Sequence, residues 1–149
     1  MAITADGKTA AAVCFNGEVV VWDVATARVL HTMKQGANGS NAIAFSPSGN
    51  RLLTTGHDGS AIVWNVETGE ELARKEHKGY GWSALFLNED TAIVAFNESD
   101  IYFWNLASGE MESRFRIAQG SCSDLALFAD RRTPAKVTTA GGPLIPLKF

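Results

Sequence analysis

His31, His57 and His77 are the three histidines of this chain, and with Asp58, Cys14 and Cys122 they are the groups that could move protons, attack a substrate or hold a metal. A zinc-type site would need imidazoles to meet one another or carboxylates within about 2.0–2.2 Å of a shared ion. The repeat pattern described below puts His31 on an outer strand, His57 in a turn and His77 in a connecting loop, so they are not expected to converge. Asp58 could serve as a general base, but in an Asp-Gly turn it is better placed to accept backbone N–H groups. Serines and threonines are plentiful, yet none sits in a G-x-S-x-G elbow. No glycine-rich stretch opens a helix that could cradle phosphate. No catalytic residue, metal or cofactor is therefore expected, and the chain reads as non-catalytic.

The elements that would position these groups are repetitive. AIVWNVETGEELARKEH (61–77) and IYFWNLASGEMESRFRI (101–117) share an apolar pair, Trp-Asn, small residues and Gly-Glu, and VVVWDVATARVLHTMKQ (19–35) fits the same frame with Trp22-Asp23. The spacing from Trp22 to Trp64 is 42 residues and from Trp64 to Trp104 it is 40, within the range for units of four strands each. A fourth unit would place its Trp near 147, where Leu147 and Lys148 stand instead.

Within the second unit, NAIAFSP alternates, SPSGN turns, RLLTTG resumes a strand, HDGS turns again and AIVWNV is the most continuously apolar strand. ETGE is a further turn, and the charged ELARKEH makes an outer edge strand whose Lys and Glu discourage pairing with other chains. The third unit repeats this order. The first begins partway through its first strand, and the fourth stops without an outer strand. The units run approximately 1–34, 35–75, 76–117 and 118–149, giving about fifteen strands and no helix of consequence.

Composition bounds the function. With 149 residues, 46% hydrophobic and 19% charged, the chain has enough apolar material for one domain with a real core. A formal charge of −3 and a pI near 5.6 argue against a basic nucleic-acid surface, and Arg131-Arg132 reads as a solvated turn. The N-terminus shows no signal-peptide pattern and no apolar run approaches a membrane span. Cys14 and Cys122 lack metal-like or redox-like spacing and read as reduced packing residues of a cytoplasmic protein, with a long-range disulfide left open.

On AFSPSGNRLLTTGHDGSAIVWNVETGE, the Ala-Asp-Gly-Lys-Thr turn of unit one, and the dipeptides at 22, 64 and 104, the chain resembles the WD-repeat (WD40) family of β-propellers. The resemblance implies an all-β fold of four-stranded antiparallel blades, here about four of them, half of a ring that usually has about 4–8. It also implies a buried network linking a His, a Ser or Thr, an Asp and the Trp. Unit two supplies Thr54, Asp58 and Trp64, but Gly36 stands at the His position. Unit three supplies His77 and Trp104, but Val94 replaces the hydroxyl residue and Glu98 the Asp. Unit one has Trp22 with Ala12 and Asn16. Stability is therefore expected to rest mainly on apolar stacking between blades rather than on polar networks.

In such a fold the loops before first strands and between second and third strands share one rim. That register makes Asn41, Trp82 and Asp124 equivalent, and likewise Phe15, His57 and Asn97. Trp82, with Tyr80 beside it, is a ring the repeat does not require, so it either anchors a partner or fills a gap against the neighbouring blade. The resemblance implies a protein-interaction scaffold with a protein or peptide partner. The alternatives are a regulatory or sensor module of a larger enzyme and a propeller-fold hydrolase or lactonase. For the incomplete ring there are three readings: a longer parent chain supplies the missing blades, two copies close one ring as a homodimer, or the chain forms a self-contained open or four-bladed unit.

Overall fold

The computed structural model describes residues 1–36, 38–96 and 100–116 and the strand segments 124–126, 136–138 and 145–146, with side chains described as far as residue 112. Four antiparallel sheets follow one another along the chain, each built from consecutive strands. The first holds β1 (Ala2–Ile3), β2 (Thr9–Val13), β3 (Glu18–Asp23) and β4 (Val29–Lys34). The second holds β5 (Ser40–Phe45), β6 (Arg51–Gly56), β7 (Ser60–Asn65) and β8 (Glu71–Glu76). The third holds β9 (Gly81–Phe86), β10 (Thr91–Phe96), β11 (Asp100–Asn105) and β12 (Met111–Arg116). β13 (Asp124–Ala126), β14 (Lys136–Thr138) and β15 (Ile145–Pro146) form a three-stranded sheet. No helix occurs among the described residues.

Why each Trp is followed by Asp or Asn is visible in the turns. Asp23 Oδ1 accepts the N–H of Thr26 at 2.7 Å and its hydroxyl at 2.6 Å. Asn65 Oδ1 accepts Glu67 N–H at 2.8 Å and Thr68 N–H at 3.1 Å, and Asn105 Oδ1 does the same for Ala107 at 2.9 Å and Ser108 at 3.0 Å. A short side-chain acceptor one residue past the indole thus closes the turn into the fourth strand. Two residues before that strand the chain must enter the left-handed region: Gly69 and Gly109 have φ of 74°, and Ala27, their counterpart, has φ of 55°. A Cβ is disfavoured there.

The sheets stack face to face through alternate residues. Leu52, Ile62 and Trp64 of the second sheet pack on Ala11, Val19, Val21 and Met33 of the first. The opposite face of the second, Leu53, Ala61 and Val63, packs on Ala84, Phe86, Ala92, Val94, Phe96 and Trp104 of the third. Period-two alternation sends successive side chains of β6 and β7 to opposite neighbours, so both faces must be apolar. The fourth strands β4 and β8 carry mostly exposed residues, which makes each of the first two sheets a wedge with a dry interior and a wet outer edge.

Polar groups also enter this interior. Trp64 Nε1–H donates to Thr54 Oγ1 at 2.8 Å. Gln35, only 3% exposed, donates from Nε2 to Ser60 Oγ at 3.0 Å and accepts from Ser40 Oγ at 3.0 Å. Ser60 in turn donates through its hydroxyl and its N–H to Asp58 Oδ1 at 2.6 and 2.9 Å. The expectation that polar networks contribute little needs this correction for the second sheet. Gln35, one residue before Gly36, supplies a buried amide where a His was missing.

Candidate functional site

Antiparallel order puts the β2–β3 and β6–β7 turns and the links between sheets at one end of the strands. The β1–β2, β3–β4, β5–β6 and β7–β8 turns lie at the other. At the second end, a groove of about 620 Å³ between the first two sheets is lined by Thr4, Asp6, Thr9, His31, Ser48 and Glu67, among others. His31 Nε2 lies 2.8 Å from the Glu67 carbonyl oxygen; a carbonyl can only accept, so Nε2 carries the proton and His31 ties the two sheets together. Asp6 is held below the ordinary carboxylate value of 3.8 by the Thr4 hydroxyl and then by the Lys8 N–H.

The first end carries the sequence-selected rim residues. Asn41 and Trp82 occupy the same unusual place. In the second sheet Ser40 opposes Gly56 and Ala42 opposes Thr55, which leaves Asn41 without an opposing residue. In the third, Gly81 opposes Phe96 and Ser83 opposes Ala95, which leaves Trp82 without one. Each is the extra residue of a β-bulge, a device that re-aims a side chain out of the alternation. The two are used differently. Asn41 Nδ2 donates to the Gly81 carbonyl at 2.9 Å and ties the second sheet to the third. Trp82 is 41% exposed, and Tyr80 beside it 49%.

His57 completes this cluster from the β6–β7 turn, its ring centroid 5.3 Å from that of Tyr80 and 6.2 Å from that of Trp82. Phe15, at the matching turn of the first sheet, is 93% exposed. Asn97 lies outside the described residues, and of Asp124 only the backbone, at the start of β13, is described.

The remaining repeat residues sit as follows. Trp104 is 1% exposed, and among the described residues its indole N–H has no hydrogen-bond partner. Val94 opposes Tyr102 in the register where Thr54 opposes Ile62. Trp22 is partly exposed and opposes Ala10. His77 stacks on Phe96 with centroids 4.4 Å apart. Gly79 N–H donates to His77 Nδ1 at 3.1 Å, so the ring proton is on Nε2 and points to the Tyr102 hydroxyl at 3.1 Å. His31, His57 and His77 thus keep separate partners, and no group of three His, Cys, Asp or Glu suited to a metal is found among the described residues.

Comparison with known proteins fits these stacked sheets. The family model "WD domain, G-beta repeat" matches residues 28–65, from the start of β4 to the end of β7. The structure superposes on the crystal structure of RRP9 WD40 repeats with a TM-score of 0.77 at 15% identity, covering 83% of this chain and 39% of that one. It superposes on U3-55K with a TM-score of 0.79 at 15% identity, covering 93% and 47%.

Residues 28–65 match a WD40 repeat, and the stacked sheets have the WD40 propeller fold. A curated relative, protein tipD of Dictyostelium discoideum, is 28% identical over 116 residues, which is 77% of this chain and 19% of tipD. The chain therefore spans less than half the length of each of these three proteins. WD40 propellers generally act as protein-interaction scaffolds, and their structural likeness here shows the fold of the four sheets, which are the blades of a partial propeller.

Internal comparison of the WD40 repeats then isolates what is peculiar to the rim. The positions of Tyr80 and Trp82 in the third repeat are those of Gly39 and Asn41 in the second. The repeat folds with either pair, so packing does not demand the rings. Sequence reasoning singled out Trp82 as supernumerary to the repeat. It missed the bulge, because NAIAF and WSALF alternate whichever neighbour is skipped.

Proposed function

We propose that this chain is a non-catalytic protein-interaction platform that engages a protein or peptide through the rim bearing His57, Tyr80 and Trp82. The observation that supports this most is the replacement of Gly39 and Asn41 by two half-exposed aromatic rings at the matching places one blade later. Exposed Trp and Tyr offer large amphipathic contact area with few rotatable bonds, which suits them to anchor a partner. Stacked blades hold the connecting turns rigid, so binding loses little free energy to ordering.

The test is a pull-down with Trp82→Ala, followed by calorimetric titration of whatever partner is recovered. Loss of binding with an unchanged melting temperature supports the platform. Unchanged affinity, or a large fall in melting temperature, counts against it. We also propose that further blades complete the ring, since the chain covers only 39% and 47% of the solved propellers it matches. A parent chain or a second copy could supply them. Light scattering distinguishes the two, a discrete species at twice 16.0 kDa favouring a homodimer.

A further inference from the structure

Exposed rings and one carboxylate share this rim. The Phe15 backbone lies against Gly39, where an added Cβ would come within 2.9 Å of the Phe15 carbonyl oxygen. The Gly39 carbonyl accepts the N–H of His57 at 3.1 Å, and the His57 ring leads on to Tyr80 and Trp82. Asp58 lies on the Gly36 side of His57, since a Cβ on Gly36 would overlap its Oδ2.

The hydrogen-bonding capacity of this surface is unevenly used. Asp58 Oδ1 is taken by Ser60, while Oδ2 of this exposed residue meets no protein donor among the described residues. The Tyr80 hydroxyl and the Trp82 indole N–H likewise make no hydrogen bond to described protein groups. The surface therefore offers apolar ring faces, donors at the ring tips and the exposed Asp58 carboxylate, whose Oδ2 rests against Gly36 and whose charge also acts on Arg74. A complementary ligand presents apolar bulk, carbonyl acceptors, few N–H groups of its own and a positive charge.

An extended proline-rich segment has these properties. In the polyproline II conformation its carbonyls have no internal partner, its pyrrolidine rings pack on aromatic faces, and little entropy remains to be lost. An arginine or lysine within it pairs with Asp58 and can lie over the adjoining rings. The chain's net charge of −3 favours a basic segment over an acidic one. We infer that the rim binds a basic, proline-rich segment of a partner protein, with Tyr80 and Trp82 seating proline and Asp58 receiving the cation. This rests on the interaction-platform reading and names the partner's chemistry.

The probe is a short oligoproline peptide carrying a central arginine pair, titrated into the full chain and followed by the indole and imidazole NMR signals. Two comparison peptides replace the prolines with Gly and Ser, or the arginines with Glu. The expected result is saturable binding that moves the Trp82 and His57 signals. It should weaken at least about tenfold in Trp82→Ala and in the double variant Tyr80→Gly, Trp82→Asn, which installs the residues the preceding repeat already carries. Asp58→Asn should weaken binding several-fold and flatten its salt dependence.

Melting temperatures matching the unaltered chain establish that each variant is folded. Failure of the arginine-oligoproline peptide to saturate, or equal affinity in the double variant, overturns the inference. Equal binding of the Gly/Ser or Glu peptide at Trp82 also overturns it, while leaving the platform reading in place. Loss of a pulled-down partner in Trp82→Ala, with no oligoproline binding, separates the two in the same way.

Discussion

Replacing Val94 by Thr should make this protein more stable, although it puts a hydroxyl into a fully buried place. Val94 is 0% exposed and Trp104 1% exposed, in one apolar cluster. One blade earlier, Thr54 is equally buried and takes the Trp64 indole N–H at 2.8 Å. The registers match: Leu52 opposes Trp64 and Thr54 opposes Ile62, while Ala92 opposes Trp104 and Val94 opposes Tyr102. Exchanging one Val94 methyl for a hydroxyl therefore places an acceptor beside an indole N–H that has none.

A buried donor without a partner costs about 1–3 kcal/mol, and a made hydrogen bond is worth about 0.5–1.5 kcal/mol net. The new hydroxyl loses its own hydration, so the lower figures apply and the gain should be about 1 kcal/mol. For a chain of this size that raises the melting temperature by roughly 2–4 °C. The reciprocal change, Thr54→Val, should cost about 1–3 kcal/mol by orphaning the Trp64 indole. Urea denaturation followed by tryptophan fluorescence measures both. Destabilisation by Val94→Thr together with no loss in Thr54→Val would refute the reasoning, because the hydroxyl would then be irrelevant to the indole.

Three other changes follow from the same geometry. Trp64→Ala should lower stability by about 3–5 kcal/mol, since the ring fills the contact between the first two blades; a loss below about 1 kcal/mol in a denaturant melt would contradict that packing. Ala27→Gly should raise stability by up to about 1 kcal/mol, the relief of a left-handed Ala less the added freedom of the unfolded chain, and a fall in melting temperature would count against it. The Thr26 hydroxyl, with its N–H next, holds the Asp23 carboxyl below its ordinary 3.8, so the charged form is favoured on folding. Its contribution is present above that value and lost as pH falls through the lowered one. Hydrogen exchange should accordingly show the Thr26 amide losing protection in acid, while those of Thr68 and Ser108, held by neutral Asn65 and Asn105, keep theirs.

Strand order and blade periodicity were legible because they are written in short-range chemistry. Asp-Gly and Asn-Gly turns, an apolar third strand ending in Trp, and the Asp or Asn after it each act within a few residues, so three copies in register expose the pattern. What was not legible depends on contacts the chain does not announce. Gln35 bonds Ser60 from 25 residues away and is not part of the repeat's usual wording, so the buried network of the second blade went unseen. Asn41 looked equivalent to Trp82, as it is in backbone position, yet its amide ties down the Gly81 carbonyl while Trp82 faces outward. The difference lies in side-chain length and polarity at a bulge, and the bulge itself lies in a register between strands. Ala27 stands where the other two repeats have Gly69 and Gly109, and only the backbone angle reveals that the exchange is strained.

The bulge residues Asn41 of β5 and Trp82 of β9 belong to neither face of their sheets. No opposing residue and no core layer depends on the side chain at this position, so Asn stands there in one blade and Trp in the next above the same stacked apolar layers, with Asn41 also tying its blade to the next through the Gly81 carbonyl. A propeller built this way separates outline from surface: β5 and β9 each carry one position whose side chain differs in size and polarity from blade to blade while strand order and register stay the same.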